Sequence, residues 1–237
     1  MGKKFMKDEI IALHGFLGGP WDFLSFDIPH KARSINSWAL NSFEDWSDGF
    51  SKEISDSIVL GYSLGARLLL HALIKKPQKA AIIISAHPGL KQNQHSRLQD
   101  DLAWAKRFRR DPWADVIKSW NEQEIFKKSQ KREFLEENYQ REELALMLEN
   151  FSLGKQADLR PQINQLDMPI LWIQAVGEEE KVLGIELKHP HSKLIILNGG
   201  HRILFDEQAE VLAIIQEFLD LIGCLGAQTF FFSLANI

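Results

Sequence analysis

The chain has 237 residues, enough for one domain with an insertion, and its 45% hydrophobic and 25% charged residues are the balance of a globular protein with a full core. A net charge of −4 and a pI near 6.1 exclude a global field for nucleic acid or an anionic membrane, so any cationic site has to be local. One cysteine, Cys224, excludes an intrachain disulfide and a cysteine zinc cluster, and suits a reducing cytoplasm.

The first residues, Met1 to Met6, carry charge with no apolar run behind them, so no secretory leader is expected, and Met6 departs from the myristoylation pattern. Residues 9–13 (EIIAL) are a short apolar, β-branched run ending at His14-Gly15, which predicts a buried parallel strand and a loop. Residues 57–60 (SIVL) repeat the pattern and end at Gly61-Tyr62-Ser63. From 66 to 76, Leu68, Leu69, Ala72 and Leu73 fall at helical spacing, with Pro77 after the last turn. Residues 81–85 (AIIIS), 169–173 (PILWI) and 193–197 (KLIIL) predict three further strands. A terminal amphipathic helix is predicted from 205 to about 222, with Val211, Leu212, Ile214, Ile215, Phe218 and Leu219 inward. Strands alternating with helices imply a parallel sheet covered on both faces. The longest apolar stretches, such as 81–84 and 68–70, are far short of a membrane span.

Between 91 and 160 there is no strand-like run; Lys, Arg, Glu, Gln, Trp and Leu recur with helical periodicity. A helical lid over 88–160 is expected, inserted into a core made of 1–87 and 161–237 and placed above the carboxyl ends of the strands. The tail 225–237, with Phe230, Phe231 and Phe232, is expected to pack on the body as an added strand or to make an oligomer contact.

Gly61-Tyr62-Ser63-Leu64-Gly65 matches the G-x-S-x-G nucleophile elbow. The turn from strand to helix is so sharp that small residues are needed two places before and two after the serine. The pattern also occurs by chance as a plain turn serine, but here it closes an apolar strand and opens a helix. The Leu64 amide at the helix start is then a free oxyanion donor, and the Phe16 amide in His14-Gly15-Phe16 is the candidate for the second. Gly15, Gly18 and Gly19 do not have a nucleotide-binding spacing.

Of eight histidines only His201, in Asn198-Gly199-Gly200-His201, follows a late strand and precedes the terminal helix, which makes it the expected base. His14 and His87 are candidates to line the same cleft, and His189 and His191 read as surface loop residues. No histidine has metal-ligand spacing, so no metal is expected. The acid should lie in Gly177-Glu178-Glu179-Glu180-Lys181-Val182, which contains no aspartate. Glu180 is the first choice and Glu179 the second, against the alternative of three solvated glutamates.

With these pieces placed, the chain resembles the 2-succinyl-6-hydroxy-2,4-cyclohexadiene-1-carboxylate synthase family of menaquinone (vitamin K2) biosynthesis, lyases of the α/β-hydrolase fold. The resemblance runs over roughly residues 9–220. It rests on the elbow extended to Ala66-Arg67, on His14-Gly15-Phe16, and above all on the lid. There Ser85-Ala86-His87-Pro88-Gly89-Leu90, Arg97, Trp104-Ala105-Lys106-Arg107-Phe108, Trp120 and Phe126 match, followed by Met147-Leu148-Glu149, Ser152-Leu153 and Asp158-Leu159-Arg160.

The resemblance implies loss of pyruvate from 2-succinyl-5-enolpyruvyl-6-hydroxy-3-cyclohexene-1-carboxylate, without a cofactor, with Ser63 acting as base. It also implies that Tyr62, Arg67, Arg97 and Trp120 bind this small polycarboxylate. By residue type alone, Arg67 reads as a helix-surface ion pair, Arg97 as a solvated lid residue and Trp120 as lid core. Two departures stand out. Glu180 occupies the slot of an aspartate in the family's G-E-x-D loop, and a third lid arginine falls where this chain is shorter. Arg141 is one substitute, although alignment through Met147 puts Glu136 or Glu137 near that slot. A serine esterase or thioesterase on the same scaffold, and a non-catalytic binding protein that keeps the fold, are the competing readings. The sequence leaves the oligomeric state open.

Overall fold

The structure, a computed structural model, describes residues 9–223. Cys224 and the phenylalanine-rich tail, with its expected added strand or oligomer contact, lie outside the described residues. Six parallel strands form one sheet in the order β2-β1-β3-β4-β5-β6. They are β1 (Ile10–Leu13), β2 (His30–Arg33), β3 (Ile58–Tyr62), β4 (Ala80–Ile84), β5 (Ile170–Ala175) and β6 (Lys193–Leu197). The four inner strands are buried on both faces, which is why they read as continuous apolar runs. Five strands were predictable from such runs. The sixth, β2, is the polar edge segment His-Lys-Ala-Arg, whose outer flank needs no apolar cover.

Alternation along the strands divides the core into two layers. Ile11, Leu13, Val59, Ala81, Ile83, Ile170 and Trp172 face one side, where α1 (Phe43–Glu53) and α2 (Leu64–Lys75) supply Trp46, Phe50, Leu69 and Leu73. Ile10, Ala12, Ile58, Leu60, Ile82, Leu171 and Ile173 face the other, against Val211, Ile215, Phe218 and Leu219. Helix α1 starts cleanly because the Ser42 hydroxyl accepts a hydrogen bond from the Asp45 amide at 3.0 Å. The predicted single terminal helix is two. A short turn, Ile203–Asp206, is separated from the helix Gln208–Leu221 by Glu207, whose backbone (φ −124°, ψ 39°) leaves helical geometry. The break lets Ile203 and Leu204 enter the core directly after the His201 loop.

Three helices stand between β4 and β5: α3 (Gln94–Arg110), α4 (Trp113–Asn121) and α5 (Arg141–Asn150). A shorter one, α6 (Arg160–Ile163), leads into β5. In chain order the last two become α7 (Ile203–Asp206) and α8 (Gln208–Leu221). Ala105, Phe108, Val116, Leu144, Ala145 and Leu148 form a small core that also takes in Leu17, from the loop after β1. Tyr139 donates its hydroxyl to the Leu17 carbonyl at 2.8 Å, and Arg132 pairs with buried Asp22 at 2.7 Å. These contacts fasten the helices over the carboxyl ends of β1 and β3. Among the described residues no helix is long and apolar enough to cross a membrane.

Candidate active site

In an open parallel sheet the loops leaving the carboxyl ends of the strands converge on one edge. Phe16 follows β1, Ser63 follows β3, Glu178 follows β5 and His201 follows β6. Four segments distant in sequence are therefore brought together by sheet geometry alone.

Ser63 has φ 50° and ψ −111°, a conformation that L residues rarely adopt. The bend is tight enough that a Cβ on Gly61 would lie 2.5 Å from the Ala66 Cα, and one on Gly65 would lie 2.4 Å from the His14 carbonyl oxygen. Both neighbours are backbone and cannot swing aside, which accounts for the two glycines of the motif. The Ser63 amide donates to the Ile84 carbonyl at 2.9 Å and its carbonyl accepts from the Arg67 amide at 3.0 Å, so the bend is held from both sides. The amides of Leu64 and Phe16 have no acceptor among the described residues, as an oxyanion hole requires.

Ser63 Oγ lies 2.9 Å from His201 Nε2. His201 Nδ1 lies 3.1 Å from Glu178 Oε1 and 3.4 Å from Oε2. An ionised carboxylate only accepts, so Nδ1 carries the imidazole proton and donates it. Nε2 then accepts from the serine hydroxyl. Burial lowers the His201 pKa below its usual 6.5, and the hydrogen bond and charge of Glu178 only partly oppose this. For Glu178, burial alone would raise the pKa; hydrogen bonding and charge from His201 and Lys181 outweigh it and hold the carboxyl at about 2. Lys181 closes on Oε1, and Gln174 Nε2 donates to Oε2 at 2.5 Å.

The expected acid, Glu180, is not in this relay. Gly177, at φ 89°, turns the chain immediately after β5, so Glu178 is aimed back beneath the imidazole and is buried. Glu179 and Glu180 begin an exposed 3-10 turn, and Glu179 Oε2 accepts from the Gly177 amide. Glutamate is one methylene longer than aspartate, so it reaches the ring from a slot two residues earlier. The signal available in sequence was the glycine just before Glu178.

A cavity of about 630 Å³ opens over Ser63 and His201, and Phe16, Tyr62, Arg67, Arg97 and Trp120 line it. Trp120 packs between Phe16 (4.8 Å between centroids) and Trp104 (5.0 Å), forming an apolar wall. The Tyr62 hydroxyl is occupied, donating to the His201 carbonyl at 3.2 Å, so this residue holds the base loop while its ring lines the cavity. Arg67 donates to Gln156 Oε1 (2.6 Å) and the Phe151 carbonyl (2.7 Å), and burial, with the charge of Arg97, lowers it to about 9 despite Asp101. Arg97 spends Nε on Asp101, leaving its terminal nitrogens without an acceptor among the described residues.

Three expectations are not met. His14 lies beside a second, smaller cavity; the Ile35 amide donates to its Nε2 (3.2 Å), so its Nδ1–H donates to the Gly15 carbonyl (2.8 Å), shaping the loop before Phe16. His87 lines neither cavity and accepts from the Gly89 amide. Arg141 is spent on Glu136 and on the carbonyls of Phe108 and Asp111, outside the cavity. Three further arginines line the cavity that the sequence does not single out as site residues: Arg107, Arg132 and Arg202. Arg202 adjoins His201 in sequence, but its want of an acidic partner is not readable there.

Half-buried His71 and His87 and buried His201 give the fold an acid-side liability. Burial lowers His71 and His87 to about 3, with nearby arginine and lysine charges adding to it, and His201 is also depressed. The unfolded chain therefore binds protons near pH 6.5 that the folded chain refuses. Stability is expected to be full above pH 6.5 and to fall as pH drops towards 3, with His71→Phe flattening that slope. Denaturant melts at pH 7.5, 6, 5 and 4 check this; a pH-independent unfolding free energy over that range would contradict it.

No family model matches the chain. The 2-succinyl-6-hydroxy-2,4-cyclohexadiene-1-carboxylate synthase of Citrobacter koseri is 31% identical over 241 residues, covering 90% of this chain and 94% of that protein. The chain belongs to that synthase family. The namesake enzyme of Serratia proteamaculans is 33% identical over 189 residues, 68% of this chain and 74% of its own. Among solved structures, MenH from S. aureus superposes with a TM-score of 0.77 at 20% identity, covering 92% of this chain and 95% of the other. The N-acyl homoserine lactonase AidH complexed with N-butanoyl homoserine follows at 0.68 and 16%, covering 95% and 92%. These likenesses identify the α/β-hydrolase fold, and the synthase family shares it.

Proposed function

We propose that this chain is a lyase that eliminates pyruvate from 2-succinyl-5-enolpyruvyl-6-hydroxy-3-cyclohexene-1-carboxylate to give 2-succinyl-6-hydroxy-2,4-cyclohexadiene-1-carboxylate. Ser63, His201 and Glu178 form the proton relay. Neutral His201 accepts the Ser63 proton through Nε2, and the Ser63 oxygen takes a proton from the ring carbon beside the succinyl ketone. The amides of Phe16 and Leu64 stabilise the enolate oxygen that develops. Collapse of the enolate expels the enolpyruvyl oxygen, which departs as pyruvate once its enol carbon is protonated. Glu178 holds the tautomer that makes Nε2 an acceptor and stabilises the imidazolium that forms.

The observation that carries this reading is the charge of the cavity. Five arginines, Arg67, Arg97, Arg107, Arg132 and Arg202, line it against three acids, Asp100, Asp101 and Glu124. A pocket for a neutral acyl chain has no use for that excess, whereas a tricarboxylate needs it. The helices over 88–160 act as the lid that brings Arg97 and Trp120 to the substrate.

Arg97→Ala tests the reading against an esterase on the same scaffold. Losing one charge-assisted contact is expected to raise KM for the enolpyruvyl substrate by roughly 10- to 100-fold. Any slow hydrolysis of a short p-nitrophenyl ester should change little. Rapid ester cleavage with no pyruvate release, or equal losses on both substrates, would place the chain among the esterases.

A further inference from the structure

Five arginines around one cavity raise the question of which still lack a counter-charge. Arg97 is paired with Asp101 at 3.0 Å, Arg107 with Asp111 at 3.1 Å and Arg132 with Asp22 at 2.7 Å. Arg67 and Arg202 form no ion pair among the described residues; their hydrogen bonds go to neutral acceptors. Arg202 Nη1 donates to the Gln130 carbonyl at 2.7 Å, and its guanidinium lies 4.0 Å from the centre of the Phe126 ring. Its Nη2 is buried and has no acceptor among the described residues, although the residue is only 3% exposed.

A buried guanidinium with neutral partners and an unused donor is costly unless an anion completes it. Burial lowers the Arg202 pKa and the charge of Arg132 adds to this, while Tyr62 and Asp206 oppose it. Arg67 stands four residues after Ser63 and Arg202 one residue after His201, so the two unneutralised cations belong to the nucleophile helix and the base loop. The Arg202 amide also donates to Ser129 Oγ at 3.1 Å, fixing this loop against the segment that carries Phe126.

We propose that Arg202 is a specificity-determining ligand for a substrate carboxylate, its guanidinium donating to a carboxylate oxygen from the cavity wall. The proposal rests on the tricarboxylate reading above. In it Arg67 and Arg97 take two carboxylates and Arg202 takes the third, doing from the base loop what Arg141 does not do from the lid.

The test uses the whole chain with Arg202→Gln, Arg202→Lys and Asp206→Asn. KM and kcat are measured for pyruvate release. Separately, Kd is measured for tricarballylate, a non-reacting tricarboxylate, by quenching of tryptophan fluorescence. Arg202→Gln is expected to raise both KM and Kd about 10- to 100-fold. Its kcat should stay within about threefold, as for a contact made in ground and transition states alike. Arg202→Lys should recover part of the loss. Asp206 Oδ1 accepts from the Gln130 amide, tying the same two segments together without facing substrate as a cation. Asp206→Asn removes a nearby negative charge, so KM and Kd should hold or fall.

Unchanged KM and Kd in Arg202→Gln, or equal rises in Arg202→Gln and Asp206→Asn, would overturn the assignment and leave Arg202 a structural latch. Failure of the wild type to bind tricarballylate would overturn it too. A wild type that binds tricarballylate but releases no pyruvate would instead refute the lyase reading, and the Kd comparison would still decide Arg202.

Discussion

Ser63→Ala is expected to lower pyruvate release by about a thousandfold or more, because it removes the atom that takes the substrate proton in the proposed mechanism. Ser63 Oγ is the only group held 2.9 Å from His201 Nε2 among the described residues. The imidazole cannot advance to replace it, since Glu178 holds Nδ1 and Tyr62 holds the His201 carbonyl. The variant should fold, because the bend at residue 63 is set by its neighbours and not by the hydroxyl. Ser63→Gly should be equally inactive yet more stable than Ser63→Ala by about 1 kcal/mol, since only glycine relieves the strained backbone. Steady-state assays beside denaturant melts check both statements. Substantial turnover by Ser63→Ala would move the proton transfer to another group.

Glu178→Gln is expected to cost about a hundredfold to ten-thousandfold in kcat, while Glu180→Gln should stay within about twofold. A glutamine can offer its NH₂ to His201 Nδ1 and so favour the wrong tautomer, in which Nε2 carries the proton and cannot accept from Ser63. The loss also leaves Lys181 without the carboxylate it closes on. Exposed Glu180 has no comparable partner in the relay. The same pair of variants can be followed against pH. With His201 depressed below 6.5 by burial, the acid limb of kcat/KM in the wild type should have its midpoint below 6.5. Glu178→Gln removes the charge that partly opposes that depression, so its limb should move further to the acid side. A large loss in Glu180→Gln with Glu178→Gln near normal would contradict the relay seen in the structure.

The central sheet was legible because parallel strands buried on both faces leave unbroken apolar runs, as at Ile58–Tyr62 and Ala80–Ile84. His30–Arg33 was not, because an edge strand of polar residues carries no such run. Helix Phe43–Glu53 carries a readable signal, Phe43, Trp46 and Phe50 at helical spacing behind a serine cap. The pairing of Ser63 with His201 was legible because chain order and the strand-to-loop transitions bring the two together. Glu178 was not, because the glycine before it permits the φ 89° turn without fixing which of three consecutive glutamates that turn aims inward. Arg202 escaped for a related reason. Its importance lies in what it lacks, an acidic partner, and a missing partner becomes visible only when every neighbour is in place.

In the proposed mechanism the Ser63 oxygen removes a carbon-bound proton and does not attack a carbonyl. The most direct measurement follows pyruvate and the absorbance of the ring diene together as the purified chain consumes the enolpyruvyl substrate. One pyruvate and one diene are expected for each substrate consumed, with Ser63→Ala producing neither above background. Substrate consumed without diene, or diene formed at an equal rate by Ser63→Ala, would contradict it.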